Sequence, residues 1–144
     1  MLIIIDHGQG NIGSLKNSIR QLGKEFRVCS KLEDFVWGEN VDGFILPGVG
    51  SFDQCMTQMK HRKLDKLIDI FIEKGIKGMG ICLGMQILCE TSEEGVKEKG
   101  LGIIKGVVKK LNPVNDKVPN MGWNKTYAET SNYTDLKVVD ELNG

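Results

Sequence analysis

The chain has 144 residues, of which 40% are hydrophobic and 26% are charged, so we expect a single domain over residues 1–144 with a buried core. Its 19 Lys and Arg residues balance 19 Asp and Glu residues, which argues against nucleic-acid binding, because such proteins carry a basic excess or a basic stripe. Without a signal-peptide pattern, a membrane-length apolar run or a Cys-x-x-Cys pair, we expect a cytoplasmic protein with no membrane association, metal or other cofactor.

The first third of the chain predicts a strand and a helix. Leu2–Ile5 is apolar without alternation, as expected of a strand that is covered on both faces. Asn11 is placed to cap a helix that runs to about Leu22, with Gly23 just past its end. Apolar runs that end in glycine then continue to alternate with amphipathic stretches, which predicts an α/β fold with a parallel sheet.

The middle of the chain repeats this alternation. Strands are predicted at 26–29 and 43–46, the second of them ended by Pro47 and a glycine-rich loop. Residues 52–74 have helical spacing, in one or two pieces, and Gly75 marks the stop.

The last third begins with a strand at 76–81 that runs into Cys82, followed by helical spacing over 83–90. From Gly100 the apolar residues suggest the shorter strands of a β-rich excursion, which includes Val118 and Trp123. The final residues, 136–144, suggest a short helix or a turn and end at the turn dipeptide Asn-Gly. We therefore expect a domain that is truncated at its C-terminus.

The segment Gly80-Ile81-Cys82-Leu83-Gly84 stands between a predicted strand and a predicted helix. It has the form of a nucleophile elbow, in which a sharp turn exposes the nucleophile and small neighbours let backbone segments pass closely. The start of a helix favours a thiolate, and the N–H of Leu83 could stabilise an oxyanion. The alternative, a small buried hydrophobic residue, is preferred for Cys29, Cys55 and Cys89.

The segment Pro47-Gly48-Val49-Gly50 follows a predicted strand and could present backbone N–H groups to an anion. By itself a loop of this kind is more often an ordinary turn. Combined with the elbow, it supplies the second donor, opposite Leu83, that acyl transfer requires.

At this point the sequence resembles the class I (triad) glutamine amidotransferases, and within them the glutaminase subunits of imidazole glycerol phosphate synthases. The matching segments follow the order and spacing of the family: IDHGQGNIGSL at 5–15, LPGVGSF at 46–52, GICLGMQIL at 80–88, SEEG at 92–95, GLGII at 100–104 and VPNMGWN at 118–124. The resemblance implies a flavodoxin-like parallel sheet with flanking helices.

The resemblance also implies site roles, all at matching positions. Cys82 would attack the side-chain amide of glutamine, with the oxyanion held by the N–H groups of Leu83 and of the Val49–Gly50 turn. Gly50, Gln86 and Glu94 would contact the bound glutamine; the plain alternative for the last two is a solvated helix end and a solvated loop. Met121 and Trp123 would face the synthase subunit and its ammonia passage, or the Trp would simply anchor the β-rich excursion.

The sequence departs from the family in its histidines. Similar proteins carry the catalytic His and Glu late, in a His-Pro-Glu segment, and no such segment occurs here. His61 lies in a charged helical run and is expected to be solvated. His7 follows the first strand, at the same sheet edge as Cys82, and stands where the family usually has Tyr, so it could replace the base only within hydrogen-bond reach. Gln9 and Asn120 also differ from the family pattern.

The interpretation that follows is a glutaminase domain that passes ammonia to a barrel-shaped cyclase subunit in histidine biosynthesis. In one alternative the ammonia goes to a different acceptor and forms amidines on bacterial surface sugars. Others are a truncated subunit that only docks to its partner, or an unrelated cysteine hydrolase with the same elbow, against which the 118–124 segment speaks.

Overall fold

The computed structural model describes residues 1–114, 118–119 and 122–123. Its internal contacts divide the chain into two units, Met1–Lys110 and Leu111–Gly144. Every helix and strand given below lies in the first unit. In the part of the chain that the structure describes, no helix is long and apolar enough to span a membrane.

The elements alternate as predicted, and we number them in chain order. They are β1 (Leu2–Ile5), α1 (Ile12–Gln21), β2 (Phe26–Cys29), a 3-10 turn (Leu32–Asp34), β3 (Gly43–Gly48), α2 (Phe52–His61), α3 (Leu64–Glu73), β4 (Gly78–Cys82), α4 (Leu83–Ile87), β5 (Cys89–Ser92) and β6 (Ile104–Val108).

Four of the strands form a parallel sheet in the order β2-β1-β3-β4. Ile4 of β1 is aligned with Ile45 of β3, and Gly48 of β3 is aligned with Cys82 of β4. The carboxyl ends of β1, β3 and β4 therefore meet at one edge of the sheet, which is where open α/β folds bind their ligands. The predicted α/β fold with a parallel sheet is confirmed.

The core lies between this sheet and the α2–α3 pair. Ile3 and Ile5 of β1 are fully buried, and so are Phe52, Leu67 and Phe71 of the two helices. The strand β1 is apolar without alternation because it is covered on both faces: Ile4, which points to the face opposite Ile3 and Ile5, is also fully buried.

Local signals in the sequence begin and end the helices. The Asn11 side chain accepts a hydrogen bond from the Ser14 N–H (3.1 Å) and so caps α1, as predicted. Gly23 and Gly75 adopt positive φ angles just past α1 and α3, with the paired backbone hydrogen bonds of a Schellman motif. The break between α2 and α3 lies at Lys63, whose φ is 56°.

Two predicted strand boundaries were wrong. The strand β3 continues through Pro47 to Gly48, and the Pro47 carbonyl accepts a hydrogen bond from the His7 side chain. Pairing with β1 has already stopped at Ile45, so the carbonyl of Pro47 is free to take that side-chain partner. The strand β4 begins at Gly78 and not at residue 76, because the Ile76 N–H closes α3 by donating to the Phe71 carbonyl.

The helix predicted over 83–90 was too long. The helix α4 ends at Ile87, and Cys89 and Glu90 belong to β5. The Ile87 carbonyl accepts from the Leu101 N–H (2.8 Å) instead of continuing the helix. Strand pairing with a distant segment therefore overrides the local helical spacing.

The β-rich excursion is confirmed in part. The strands β5 and β6 form a separate two-stranded parallel sheet. Val118 and Trp123 are described but belong to no strand, and both side chains are exposed. The prediction for residues 136–144 falls outside the described residues.

Candidate active site

Cys82 lies at the junction of β4 and α4 and is exposed to solvent. Its backbone has φ 54° and ψ −119°, and it is one of two described non-glycine residues with a positive φ angle. A conformation of this kind is costly for a residue with a side chain and persists only where the surroundings enforce it. The turn thus lifts the Sγ atom out of the end of the strand.

Two glycines make this turn possible. A Cβ atom at Gly84 would lie 1.8 Å from the Leu46 carbonyl oxygen, and one at Gly80 would lie 2.5 Å from the Cα of Met85. Both contacts are with backbone atoms, which a flexible side chain could not relieve. The glycines on either side of Cys82 therefore let neighbouring backbone segments pass closely, as inferred from the sequence.

The glycine loop after β3 lies against the elbow. A Cβ atom at Gly48 would be 2.8 Å from the backbone nitrogen of Gly84, so the two segments are in direct contact. Gly50 has φ 101°, and Val49 is 55% exposed. The Val49 N–H donates to the Gln9 carbonyl (3.1 Å), so this amide already has a partner in the described conformation.

His7 is buried beneath this loop, with 1% of its surface exposed. Its Nε2 atom is 2.8 Å from the Pro47 carbonyl oxygen, and its Nδ1 atom is 3.4 Å from the Sγ of Cys55. Because a carbonyl can only accept, the proton is on Nε2, and the Cys55 thiol donates to Nδ1. Both ring nitrogens are therefore engaged by groups other than the Cys82 thiol.

The electrostatics of this buried pair favour neutral groups. Burial lowers the pKa of His7, while the hydrogen bond with Pro47 acts in the opposite direction. Burial also raises the pKa of Cys55 to about 12, which keeps it a thiol and hence a donor. His61, at the end of α2, is exposed, in agreement with the prediction that it is solvated.

The other predicted contact residues are placed as follows. Leu83 is buried in the first turn of α4, and Gln86 of the same helix is half-buried. Glu94 is exposed in the loop that follows β5. Trp123 is exposed, and Met121 lies outside the described residues.

Sequence reasoning missed two features of this region. The first is the buried contact between His7 and Cys55, which are 48 residues apart. The second is Asp53, whose carboxylate accepts hydrogen bonds from backbone amides at 96–98. An acidic residue in the first turn of a helix is a recognisable signal, but it does not reveal a partner more than 40 residues away.

The arrangement has the chemistry of a nucleophilic site. An exposed cysteine on a strained turn stands beside a glycine loop with accessible backbone, at the carboxyl edge of a parallel sheet. Among the described residues, no group of His, Cys, Asp and Glu side chains could hold a metal ion. These features make Cys82 the candidate nucleophile.

Comparison with known proteins agrees with this chemistry. Residues 3–142 match the family described as glutamine amidotransferase class-I. The "Imidazole glycerol phosphate synthase subunit HisH" of Bacillus subtilis is 41% identical over 130 residues, covering 87% of this chain and 60% of that protein. The subunit of the same name from Dehalococcoides mccartyi is 40% identical over 131 residues, covering 91% and 62%.

A solved structure is similar in fold. The "Crystal structure of glutamine amidotransferase" superimposes with a TM-score of 0.62 at 20% identity, over 75% of this chain and 55% of that chain. The chain thus spans about three fifths of the length of the curated relatives it matches.

Proposed function

The chain belongs to the class-I glutamine amidotransferase family, and from that premise we propose that it is the nucleophile-bearing part of a glutaminase that supplies ammonia to a synthase subunit. The observation that carries the proposal is the strained, exposed elbow at Cys82. We further propose that all 144 residues belong to one glutaminase domain, which the family match over residues 3–142 supports.

The proposed reaction has two acyl-transfer steps. The Cys82 thiolate attacks the side-chain amide carbon of glutamine, and the nitrogen leaves as ammonia after it takes up a proton, so that a glutamyl thioester remains. Water then attacks the thioester, which releases glutamate and restores the thiol. A tetrahedral oxyanion forms in both steps, and backbone N–H donors stabilise it.

The proposed donors are the N–H of Leu83 and those of the Val49–Gly50 turn. The Leu83 amide follows the nucleophile directly, as in other elbows. The Val49 amide is hydrogen-bonded to Gln9, so its participation requires that bond to open. Gly50, with its positive φ angle, can change conformation there at little steric cost.

Recognition of the amino-acid part of glutamine is assigned to Gln86 and Glu94. A carboxylate such as that of Glu94 suits the α-ammonium group, and an amide such as that of Gln86 can both donate and accept. Glu94 is exposed, which leaves its carboxylate open to a ligand.

The proposed partner is a cyclase-type barrel subunit in histidine biosynthesis. The relatives named above are subunits of imidazole glycerol phosphate synthase, and they match most of this chain. Met121 and Trp123 are the residues proposed to meet that partner; exposure of the Trp123 side chain supports a contact role.

Ammonia release from glutamine tests the proposal. Neither histidine of the chain is placed as a base, because His7 is engaged by Pro47 and Cys55 and His61 is exposed at the end of α2. General acid–base catalysis is worth about 10²–10⁴-fold. We therefore expect negligible turnover by the 144 residues alone, even with the cyclase subunit present.

A longer form that carries a His-Pro-Glu segment should turn over glutamine with the cyclase subunit, and Cys82→Ala in that form should abolish the activity. A longer form whose ammonia release survived Cys82→Ala would overturn the proposal.

A further inference from the structure

The loop that carries Glu94 has little apolar packing of its own. This Glu94 loop, residues 93–98, follows β5, and its one large apolar side chain, Val96, is 89% exposed. Segments with few buried apolar contacts open easily unless polar contacts hold them. The position of Glu94 therefore depends on the hydrogen bonds made by this loop.

The carboxylate of Asp53, in the first turn of α2, accepts hydrogen bonds from three consecutive amides of the Glu94 loop. The Val96 nitrogen lies 3.2 Å from Oδ2, the Glu98 nitrogen lies 3.0 Å from Oδ1, and the Lys97 nitrogen lies 3.3 Å from both oxygens. Hydrogen bonds to a carboxylate are about twice as strong as those between neutral groups. One side chain thus restrains half of the loop.

The other half of the loop is anchored by Ser92. Its Oγ accepts from the Glu94 N–H (3.1 Å), and its carbonyl accepts from the Gly95 N–H (3.2 Å). Gly95 passes so close to α2 that a Cβ atom there would lie 2.5 Å from the Phe52 ring and 3.0 Å from an Asp53 oxygen. Glu94 is consequently held between Ser92 and Asp53, and the Lys60 ammonium group, also on α2, pairs with the Glu98 carboxylate at the end of the loop.

The same turn of α2 also continues directly from the candidate oxyanion loop. Gly50 is followed by Ser51, the N-cap residue, and then by Phe52 and Asp53. Phe52 is fully buried, which makes this turn a rigid support. Two of the segments proposed to contact glutamine, the Val49–Gly50 turn and the Glu94 loop, are therefore attached to one helical turn.

From these contacts we infer that Asp53 is a positioning residue, which holds the Glu94 loop on α2 so that the Glu94 carboxylate meets the α-ammonium group of glutamine. The inference rests on the proposed function, and it adds a residue that acts through Glu94 without touching the substrate. Asp53 then determines selectivity for an α-amino acid, while the chemistry at Cys82 is unaffected.

A pair of alkylating probes separates recognition of the α-ammonium group from the reactivity of Cys82. One is a chloroketone analogue of glutamine, and the other is the same chloroketone without the α-amino group. With either probe, the Cys82 sulfur attacks the chloromethyl carbon, a C–S bond forms, the C–Cl bond breaks and chloride leaves. The ratio of the two alkylation rates at Cys82, measured by mass spectrometry on the folded chain, reports recognition of the α-ammonium group.

We expect the unmodified chain to prefer the probe with the α-amino group, and Asp53→Ala to lower that preference roughly tenfold, the effect of losing one or two charge-assisted hydrogen bonds. The rate with the des-amino probe should stay unchanged. The isosteric Asp53→Asn also weakens the hydrogen bonds to the loop, with minimal disturbance of folding. In this variant the preference for the probe with the α-amino group should fall by a smaller factor. Asp69→Asn removes the same charge from an exposed residue of α3 and should leave the ratio as it was.

One result would overturn the inference by itself. A ratio that stays unchanged in both Asp53→Asn and Asp53→Ala, whether the two rates hold or fall equally, would assign Asp53 a structural role only. If Asp53→Ala does not fold, Asp53→Asn decides the question. A ratio of one in the unmodified chain would instead overturn the proposed glutamine specificity, and the inference with it.

Discussion

The Nε2 atom of His7 donates to the carbonyl oxygen of Pro47 over 2.8 Å, 40 residues along the chain. This hydrogen bond joins the end of β1 to the end of β3, directly beneath the glycine loop of the candidate site. The imidazole is neutral and fully buried, and Cys55 occupies its other nitrogen. His7 thus supports the loop from below, a different role from that of a base for Cys82.

The buried state of His7 predicts a pH dependence of stability. The folded-state pKa lies below the ordinary value of 6.5, mainly because of burial. When the pH falls below about 6.5, the unfolded chain binds a proton that the folded chain does not, so the free energy of unfolding decreases. One such proton lowers it by up to about 1.4 kcal/mol per pH unit within that window.

Urea unfolding at pH 7.5 and 5.5 measures this effect. His7→Gln, which cannot titrate, should lose less stability between the two pH values than the unmodified chain does. His61→Gln is the matched control, because His61 is exposed and its removal should leave the pH dependence in place. Equal losses in all three proteins would contradict the burial of a neutral His7.

Cys82 should be the fastest of the four thiols to react. Cys29 and Cys55 are buried, which raises the pKa of their thiols to about 11 and about 12, and Cys89 is half-buried in β5. At neutral pH we expect iodoacetamide to alkylate Cys82 at least about tenfold faster than the others, since the thiolate is the reacting species. Peptide mapping of briefly treated protein gives the order.

Guanidinium-unfolded protein is the control for that experiment, and all four cysteines should react at similar rates there. Faster labelling of Cys89 than of Cys82 in the folded chain would show that the elbow does not expose the nucleophile.

Gly84→Ala should destabilise the fold severely. The added Cβ would stand 1.8 Å from the Leu46 carbonyl oxygen, so β3 and the elbow would have to separate. We expect a loss of more than about 3 kcal/mol in the free energy of unfolding, or no folded protein. Gly13→Ala is the control: its nearest neighbour is the Asn11 side chain at 3.8 Å, and it should stabilise α1 by about 0.5 kcal/mol. Similar stabilities of the two variants would refute the close approach.

Asn11→Ala should cost about 1 kcal/mol, because it removes the acceptor for the Ser14 N–H at the start of α1. Asn17→Ala, at an exposed position within the same helix, should be neutral or slightly stabilising, since Ala has the higher helix propensity. Thermal unfolding compares the two. An equal loss of stability in both variants would show that the hydrogen bond between the Ser14 N–H and the Asn11 side chain does not stabilise the protein.

Several features of this protein could be predicted from short segments of its sequence. The Asn11 cap, the glycine stops at Gly23 and Gly75, and the buried strand at Leu2–Ile5 were all predicted from the sequence and are present. The elbow at Cys82 was predicted for the same reason. Steric limits on the backbone, helix capping and apolar patterning act over a few residues, so a few residues reveal them.

Other features were decided only when distant segments met. The chain stays extended through Pro47, α4 ends early at Ile87, and the Asp53 carboxylate binds amides at 96–98. A buried hydrogen-bonding group must find a partner, but its identity depends on which strands and loops the fold brings alongside. The sequence by itself therefore determined the α/β frame and the elbow at Cys82, and tertiary contacts decided which groups support the glycine loop and the Glu94 loop, because those partners lie 40 residues or more apart.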